Sequence, residues 1–159
     1  MIVADTDLLD KLSEQAKHSP RKRTTYNFHK TPGDPIHRML NAMQPGTYIP
    51  PHKHENPDKR EAFWVLRGKI ALIIFNESGH IRDHLILSPD NGNYGTELSP
   101  RAWHTLICLQ ENSVAFEVKD GPWDPSNDKI YAPWAPKEGE PNDKNYLSEL
   151  MTKLKLKNK

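Results

Sequence analysis

The sequence predicts an all-β fold: an antiparallel double-stranded β-helix, a jelly-roll barrel, with short N- and C-terminal helices. Three observations predict it. Between residues 24 and 119, short apolar or alternating segments are separated by turns rich in Gly, Pro, Asn and Asp. One of those segments, Ile70-Ala-Leu-Ile-Ile-Phe75, is apolar on both faces, as a strand buried on both faces must be. Helical spacing of apolar residues occurs outside this region, near the two ends of the chain. The expected organisation is an N-terminal helix and linker over 1–23, a barrel over 24–119, and a Pro/Trp-rich strap with a C-terminal helix over 120–159.

Residues 5–17 are expected to form the first helix, capped by Asp5 or Thr6 and carrying an apolar stripe of Leu8, Leu9 and Leu12. Ser19-Pro-Arg-Lys-Arg23 ends it and is expected to be a solvated linker. Tyr26-Asn-Phe28 and Arg38 to Met43 are expected strands around the turn Thr31-Pro-Gly-Asp-Pro35. His29 and His37 flank that turn and are expected to be surface or turn residues.

Pro50-Pro51 forces extended backbone just before His52-Lys-His54. On extended backbone, two His one residue apart point to the same side. Glu61 opens the next strand, with Phe63 and Val65 on its own face. Glu55 is a rival carboxylate, but it has the wrong parity, and Pro57 soon breaks the strand. His104 starts another strand, with Trp103 on the opposite side and Leu106 and Cys108 on its own. Cys108 stands roughly 13 Å along the strand from His104, so it is read as an apolar-lining thiol and not as a further ligand.

His52, His54, Glu61 and His104 thus offer three imidazoles and one carboxylate from separate strands, a plausible site for one divalent transition metal (Zn, Fe, Mn or Ni). Neutral imidazoles and one carboxylate leave such a complex with net positive charge, suited to an anionic or bidentate oxygen ligand. Four protein ligands leave two octahedral positions open for water or substrate, which marks a catalytic metal more than a structural one. Arg38, Tyr48, Phe63, Cys108, Lys119 and Asp120 are the candidate residues of the substrate pocket.

The pattern Gly46-x5-His52-x-His54-x6-Glu61-x6-Gly68, followed by Pro100-x-Ala102-x-His104, resembles the two metal-binding motifs of the cupin superfamily. The wider wording resembles WbuC-type cupin-fold metalloproteins. It includes Asn41 to Tyr48, Pro51-His-Lys-His54, Glu61 to Gly68, Phe116 to Trp123 and Ala132-Pro-Trp-Ala-Pro136. The first motif departs from the common form in having six residues between His54 and Glu61. In the second, Ala102 stands where Gly is usual and Cys108 where Asn is frequent. The ligand types are intact. The resemblance implies the same barrel, the same ligand set and, through the polysaccharide gene clusters with which WbuC-like proteins are associated, a sugar-derived substrate.

Three functions fit this pattern: a metal-dependent isomerase or epimerase of a small polar substrate, an Fe(II) dioxygenase, and a non-catalytic metal-dependent binder of a small ligand. Composition excludes other classes. With 22 basic and 21 acidic residues there is no field to draw the chain to nucleic acid or membrane. The longest apolar run, Ile70 to Phe75, is too short to span a bilayer. A single cysteine fits a reducing compartment, and Met1 to Asp7 lacks the pattern of a secretory signal, so a cytoplasmic protein is expected. The doubly apolar strand 70–75 requires a cover on its outer face: a helix, a terminal arm or a second subunit. A homodimer is therefore expected. The five prolines and two tryptophans of residues 120–141 predict an ordered strap packed on the barrel, which either protects a barrel edge, the reading preferred here, or borders the mouth of the pocket. Asn142 to Lys155, with Leu147, Leu150, Met151 and Leu154 on one face, predicts the last helix.

Overall fold

A computed structural model describes residues 1–157. In chain order the elements are α1 (Thr6–His18), β1 (Arg23–Asn27), β2 (Ile36–Met43), β3 (His52–Lys53), β4 (Glu61–Arg67), β5 (Ile70–Phe75), β6 (Ile81–Leu87), β7 (Gly95–Leu98), β8 (Trp103–Cys108), β9 (Ser113–Asp120), β10 (Ile130–Tyr131) and α2 (Asp143–Lys153). The strands form two five-stranded sheets, ordered β1-β2-β9-β4-β7 and β10-β3-β8-β5-β6. The named strand pairs are antiparallel.

Three apolar layers follow from the period-two alternation of the strands. Between the sheets lie Met43, Phe63, Val65, Ile70, Leu72, Leu106 and Ala115, with Cys108 among them. Outside the first sheet, α1 lays Leu12 and Ala16 on Leu40, Ala42 and Val114. The Asp5 carboxylate caps α1 by accepting from Leu8 N at 3.0 Å, and Arg67 ties the helix to the barrel through Ser13 Oγ at 2.6 Å.

Outside the second sheet, Ala71, Ile73 and Phe75 of β5 pack with Trp103, Ala132, Leu147 and Leu150. The cover required by the doubly apolar strand is therefore the chain's own C-terminal arm, which accounts for that face without a second subunit. The strap does more than protect an edge, since its β10 pairs with β3. Its backbone is also stitched to the rest of the chain, where Trp123 N donates to Pro32 O and Ala132 N to Pro51 O.

The linker is exposed at Pro20, Arg21 and Lys22, but two of its basic side chains have a partner. Both guanidiniums hold Glu138 of the C-terminal arm, at 2.8 and 2.7 Å, and Arg23 also donates to Tyr48 O at 3.0 Å.

The two motif glycines both have positive φ, +88° at Gly46 and +82° at Gly68, but they differ in surroundings. A methyl at Gly46 meets nothing within 4 Å, whereas at Gly68 it would lie 2.8 Å from Ser113 Cα. Gly46→Ala is expected to cost about 1 kcal/mol of left-handed strain. Gly68→Ala should add about 1–3 kcal/mol of overpacking to the same strain. Urea midpoints of the two variants check this, and equal losses would contradict it.

Candidate metal centre

The two sheets contribute unequally to the site. His52 on β3 and His104 on β8 face each other in register. His54 follows β3 directly, and the extended backbone set by Pro50-Pro51 turns it to the same side as His52. Glu61 opens β4 on the opposing sheet, in register with Lys119 of β9. One ligand-type atom from each of the four lies within 4.8 Å of the others. All four residues are 2–3% exposed.

The hydrogen bonds of the rings fix their chemistry. His52 Nδ1 donates to Pro50 O at 2.9 Å, His104 Nδ1 to Ala102 O at 2.9 Å, and His54 Nδ1 to Asp128 O. A carbonyl only accepts, so each Nδ1 carries the proton and each Nε2 presents a lone pair. Burial holds His52 well below the usual imidazole range, which keeps it neutral.

Glu61 Oε2 lies 2.9 Å from His104 Nε2 and 3.4 Å from His54 Nε2. In this tautomer these are acceptors facing acceptors, and none of the three atoms has a hydrogen-bond partner. Buried acceptors without a donor are costly. A cation removes that cost. Three imidazole nitrogens and one carboxylate at this spacing therefore fit a divalent transition metal.

A cavity of about 430 Å³ opens from the cluster. Met39, Phe63 and Leu106 give it apolar walls, while Glu117, Lys119 and Lys129 are polar groups in it. Glu117 accepts from Asn41 Nδ2 at 2.5 Å, and Asn41 Oδ1 in turn accepts from Thr25 Oγ1 at 2.9 Å. Burial, reinforced by the Glu61 charge, pushes the Glu117 carboxyl up to about 8.

Asp128 anchors the strap here. Its carboxylate accepts from Lys59 Nζ and Lys119 Nζ, each at 2.8 Å, while its carbonyl orients His54. Burial alone would raise the Asp128 pKa, but the two ammoniums hold it below the usual carboxylate range.

Of the expected pocket residues, Phe63 and Lys119 line the cavity. Four others point elsewhere. Arg38 has outward parity on β2 and is exposed. Tyr48 packs under α2 and donates to Pro136 O at 2.8 Å. Cys108 is buried in the inter-sheet core, where burial pushes its thiol up to about 11. Asp120 faces out and pairs with Arg60 at 2.9 Å.

Glu55, the rival carboxylate, is bound by Lys53 at 2.7 Å, away from the cluster. His37 corrects another expectation. It is 2% exposed, stacks on His29 at 4.0 Å between ring centroids, and lines the cavity with it.

Glu117, Asp128 and Lys129 were not anticipated. The signal for Glu117 was present, since it shares the inward parity of Lys119 on β9. Asp128 and Lys129 lie in the Pro-rich strap, which has no periodicity to read. The strap residues Trp123, Asp128 and Lys129 border the cavity.

The profile of DUF6016, a domain of unknown function, matches residues 4–87. The chain belongs to the DUF6016 family. Among solved structures, this DUF6016 protein is similar to the capsular polysaccharide assembling protein CapF from Staphylococcus aureus. The TM-score is 0.58 at 21% identity, over 71% of this chain and 30% of that one. It is similar to KdgF from Halomonas sp., with TM-score 0.50 at 17% identity over 69% of this chain and 86% of that one. It is also similar to the oxalate decarboxylase of Lactobacillus farciminis, with TM-score 0.52 at 16% identity over 72% of this chain and 32% of that one.

The fold is that of the cupins. The similarity spans under a third of CapF and of the decarboxylase. No curated protein matches in sequence. Among the described residues no helix is long and apolar enough to cross a membrane.

A carboxyl whose pKa is raised to about 8 loses stability for the fold as pH climbs from the unfolded value near 4.5 through 8. The unfolded chain ionises freely in that window and the native state does not. In metal-stripped protein, Glu117→Gln should therefore raise the melting temperature more at pH 8 than at pH 5. An equal change at both values would show Glu117 ionised in the native state throughout.

Proposed function

We propose that this cupin-fold protein binds one divalent transition metal through His52, His54, Glu61 and His104, and acts on a small polar, sugar-derived substrate in an isomerase or epimerase type of reaction. One observation carries the metal reading: three buried imidazoles each spend Nδ1 on a carbonyl, and the bare Nε2 atoms of His54 and His104 face the Glu61 carboxylate, with His52 in the same cluster. A structural role for the cluster would not require a cavity beside it, whereas this one opens into about 430 Å³, the size range of small-molecule sites.

A bound metal would supply Lewis acidity, polarising a carbonyl or holding a diol. The remaining chemistry belongs to the chain. Glu117, held by Asn41, stands in the cavity as a carboxyl that can keep or give up a proton near neutral pH. Lys119, fixed by Asp128, keeps a positive charge on the same wall, since burial opposes its charge less than Glu117 and the other carboxylates favour it. Met39, Phe63 and Leu106 limit water around a bound ligand. The WbuC-like wording of the sequence, and the likeness to a capsular polysaccharide assembling protein, support a sugar-derived ligand.

Elemental mass spectrometry of untagged protein should find close to one transition metal per chain. His52→Ala and His104→Ala should each lose it, because a four-ligand site is reduced to three. Near-stoichiometric metal in both variants, or none in the wild type after reconstitution, would overturn the reading. Affinity should also fall from pH 7 to pH 5, as protons compete for the imidazole nitrogens. An isomerase further requires that a sugar-derived compound be converted without net oxidation, and oxygen uptake during turnover would count against it.

A further inference from the structure

Lys129 is the polar group of the cavity that the site described so far leaves without work. Its position follows from register. In the pairing of β10 with β3, Ile130 faces Lys53 and Tyr131 faces His52. Continuing that register by one residue sets Lys129 beside His54, on the inward parity shared by His52 and His54. Ile130, of opposite parity, packs instead on the outer apolar layer. Lys129 is reached by solvent through the cavity that it lines.

The other ammoniums of this wall are spent. Lys59 and Lys119 share the two oxygens of Asp128, at 2.8 Å each, and Lys59 also donates to Pro122 O at 2.6 Å. Lys129 has no ion-pair or hydrogen-bond partner for its Nζ among the described residues. Although solvent reaches it, partial desolvation by the protein around the cavity opposes its charge and pulls its pKa down, against the pull of Glu61, Glu117 and Asp128. Four basic residues that line the cavity, Arg21, Arg23, Lys119 and Lys129, stand against three carboxyl groups, Glu61, Glu117 and Asp128. A divalent ion on the His cluster therefore leaves the cavity with net positive charge, and Lys129 is the donor with no protein anion to meet.

Taking the site as a ligand pocket, as proposed above, we infer that Lys129 is the anion anchor of the cavity and that the ligand is a hydroxy acid. Its carboxylate pairs with Lys129 Nζ, and its hydroxyl or carbonyl oxygens face the His52, His54, Glu61 and His104 cluster. Lys129 is a specificity-determining residue, which selects acids over neutral polyols of the same length. The strap carries it, so the selection is made by the C-terminal arm and not by the barrel.

The test compares D-gluconate with sorbitol, which has the same carbon chain and a hydroxymethyl group in place of the carboxylate. Isothermal titration calorimetry on zinc-reconstituted full-length protein should show gluconate binding about tenfold or more tightly than sorbitol, the worth of one charge-assisted contact. Added sodium chloride should erode that preference. Lys129→Met should abolish it with zinc content unchanged and melting temperature not lowered, and Lys129→Arg should keep part of it. A preference that survives Lys129→Met, or a wild type that does not distinguish the two compounds, would overturn the inference. The same titration on metal-stripped protein separates the two readings. A preference that depends on Lys129 without metal would uphold the anchor while removing the metal from ligand binding.

Discussion

The buried contact between Asp128 and the barrel is the constraint on which the site depends. Asp128 belongs to the strap, yet it touches the barrel in two ways. Its carbonyl accepts a hydrogen bond from His54 Nδ1–H, and its carboxylate accepts from both Lys59 and Lys119. A buried carboxylate is tolerated only when its charge and lone pairs are answered. Here two ammoniums answer it. Removing either lysine would leave one Asp128 oxygen unanswered, and removing Asp128 would leave two buried ammoniums without their carboxylate. The strap is thus locked at the point where it orients a candidate ligand, and the cavity wall and the ligand geometry become one cooperative unit.

The same lock explains why a Pro-rich segment is ordered. Prolines withhold backbone donors, so the strap cannot be held by a long ladder of its own. It is held by short pairing through β10, by isolated backbone bonds such as Trp123 N to Pro32 O, and by Trp134 against Trp103 and Phe75. Glu138, further along the arm, takes Arg21 and Arg23 from the other end of the barrel. The arm therefore joins residues that are far apart in sequence on both sides of the second sheet, and it covers the outer face of β5 as it passes.

Much of the site was legible in the sequence because strand parity is a strict rule. His52 and His54 face inward together. Glu61 was preferred over Glu55 on parity and lies with the His residues, while Glu55 pairs with Lys53. Trp103 and His104 separate to opposite faces as expected, one into the outer layer and one into the cluster. The doubly apolar strand was read correctly as buried on both faces. Parity would also have excluded Arg38 and Asp120 from the pocket and admitted Glu117. Chemical type alone suggests Arg38 and Asp120, whereas position on β2 and β9 points them outward. His37 was hidden differently. Its inward parity on β2 was obscured by the neighbouring turn, and its burial depends on stacking with His29.

Asp128 and Lys129 were beyond any periodicity. Their placement is set by tertiary pairing: a two-residue strand, a few backbone bonds and a charge cluster fix where the strap crosses the barrel mouth. This division has a chemical consequence. The residues proposed to hold a cation sit on β3, β4 and β8 or immediately beside them, where the pleat dictates orientation. The residues that complete the polar wall of the cavity come in part from an irregular arm, which isolated backbone bonds and the Asp128 charge cluster hold to the barrel in place of a long ladder. The arm and the candidate ligand set are therefore coupled through Asp128, whose carbonyl orients His54 while its carboxylate fixes Lys119 in the cavity wall.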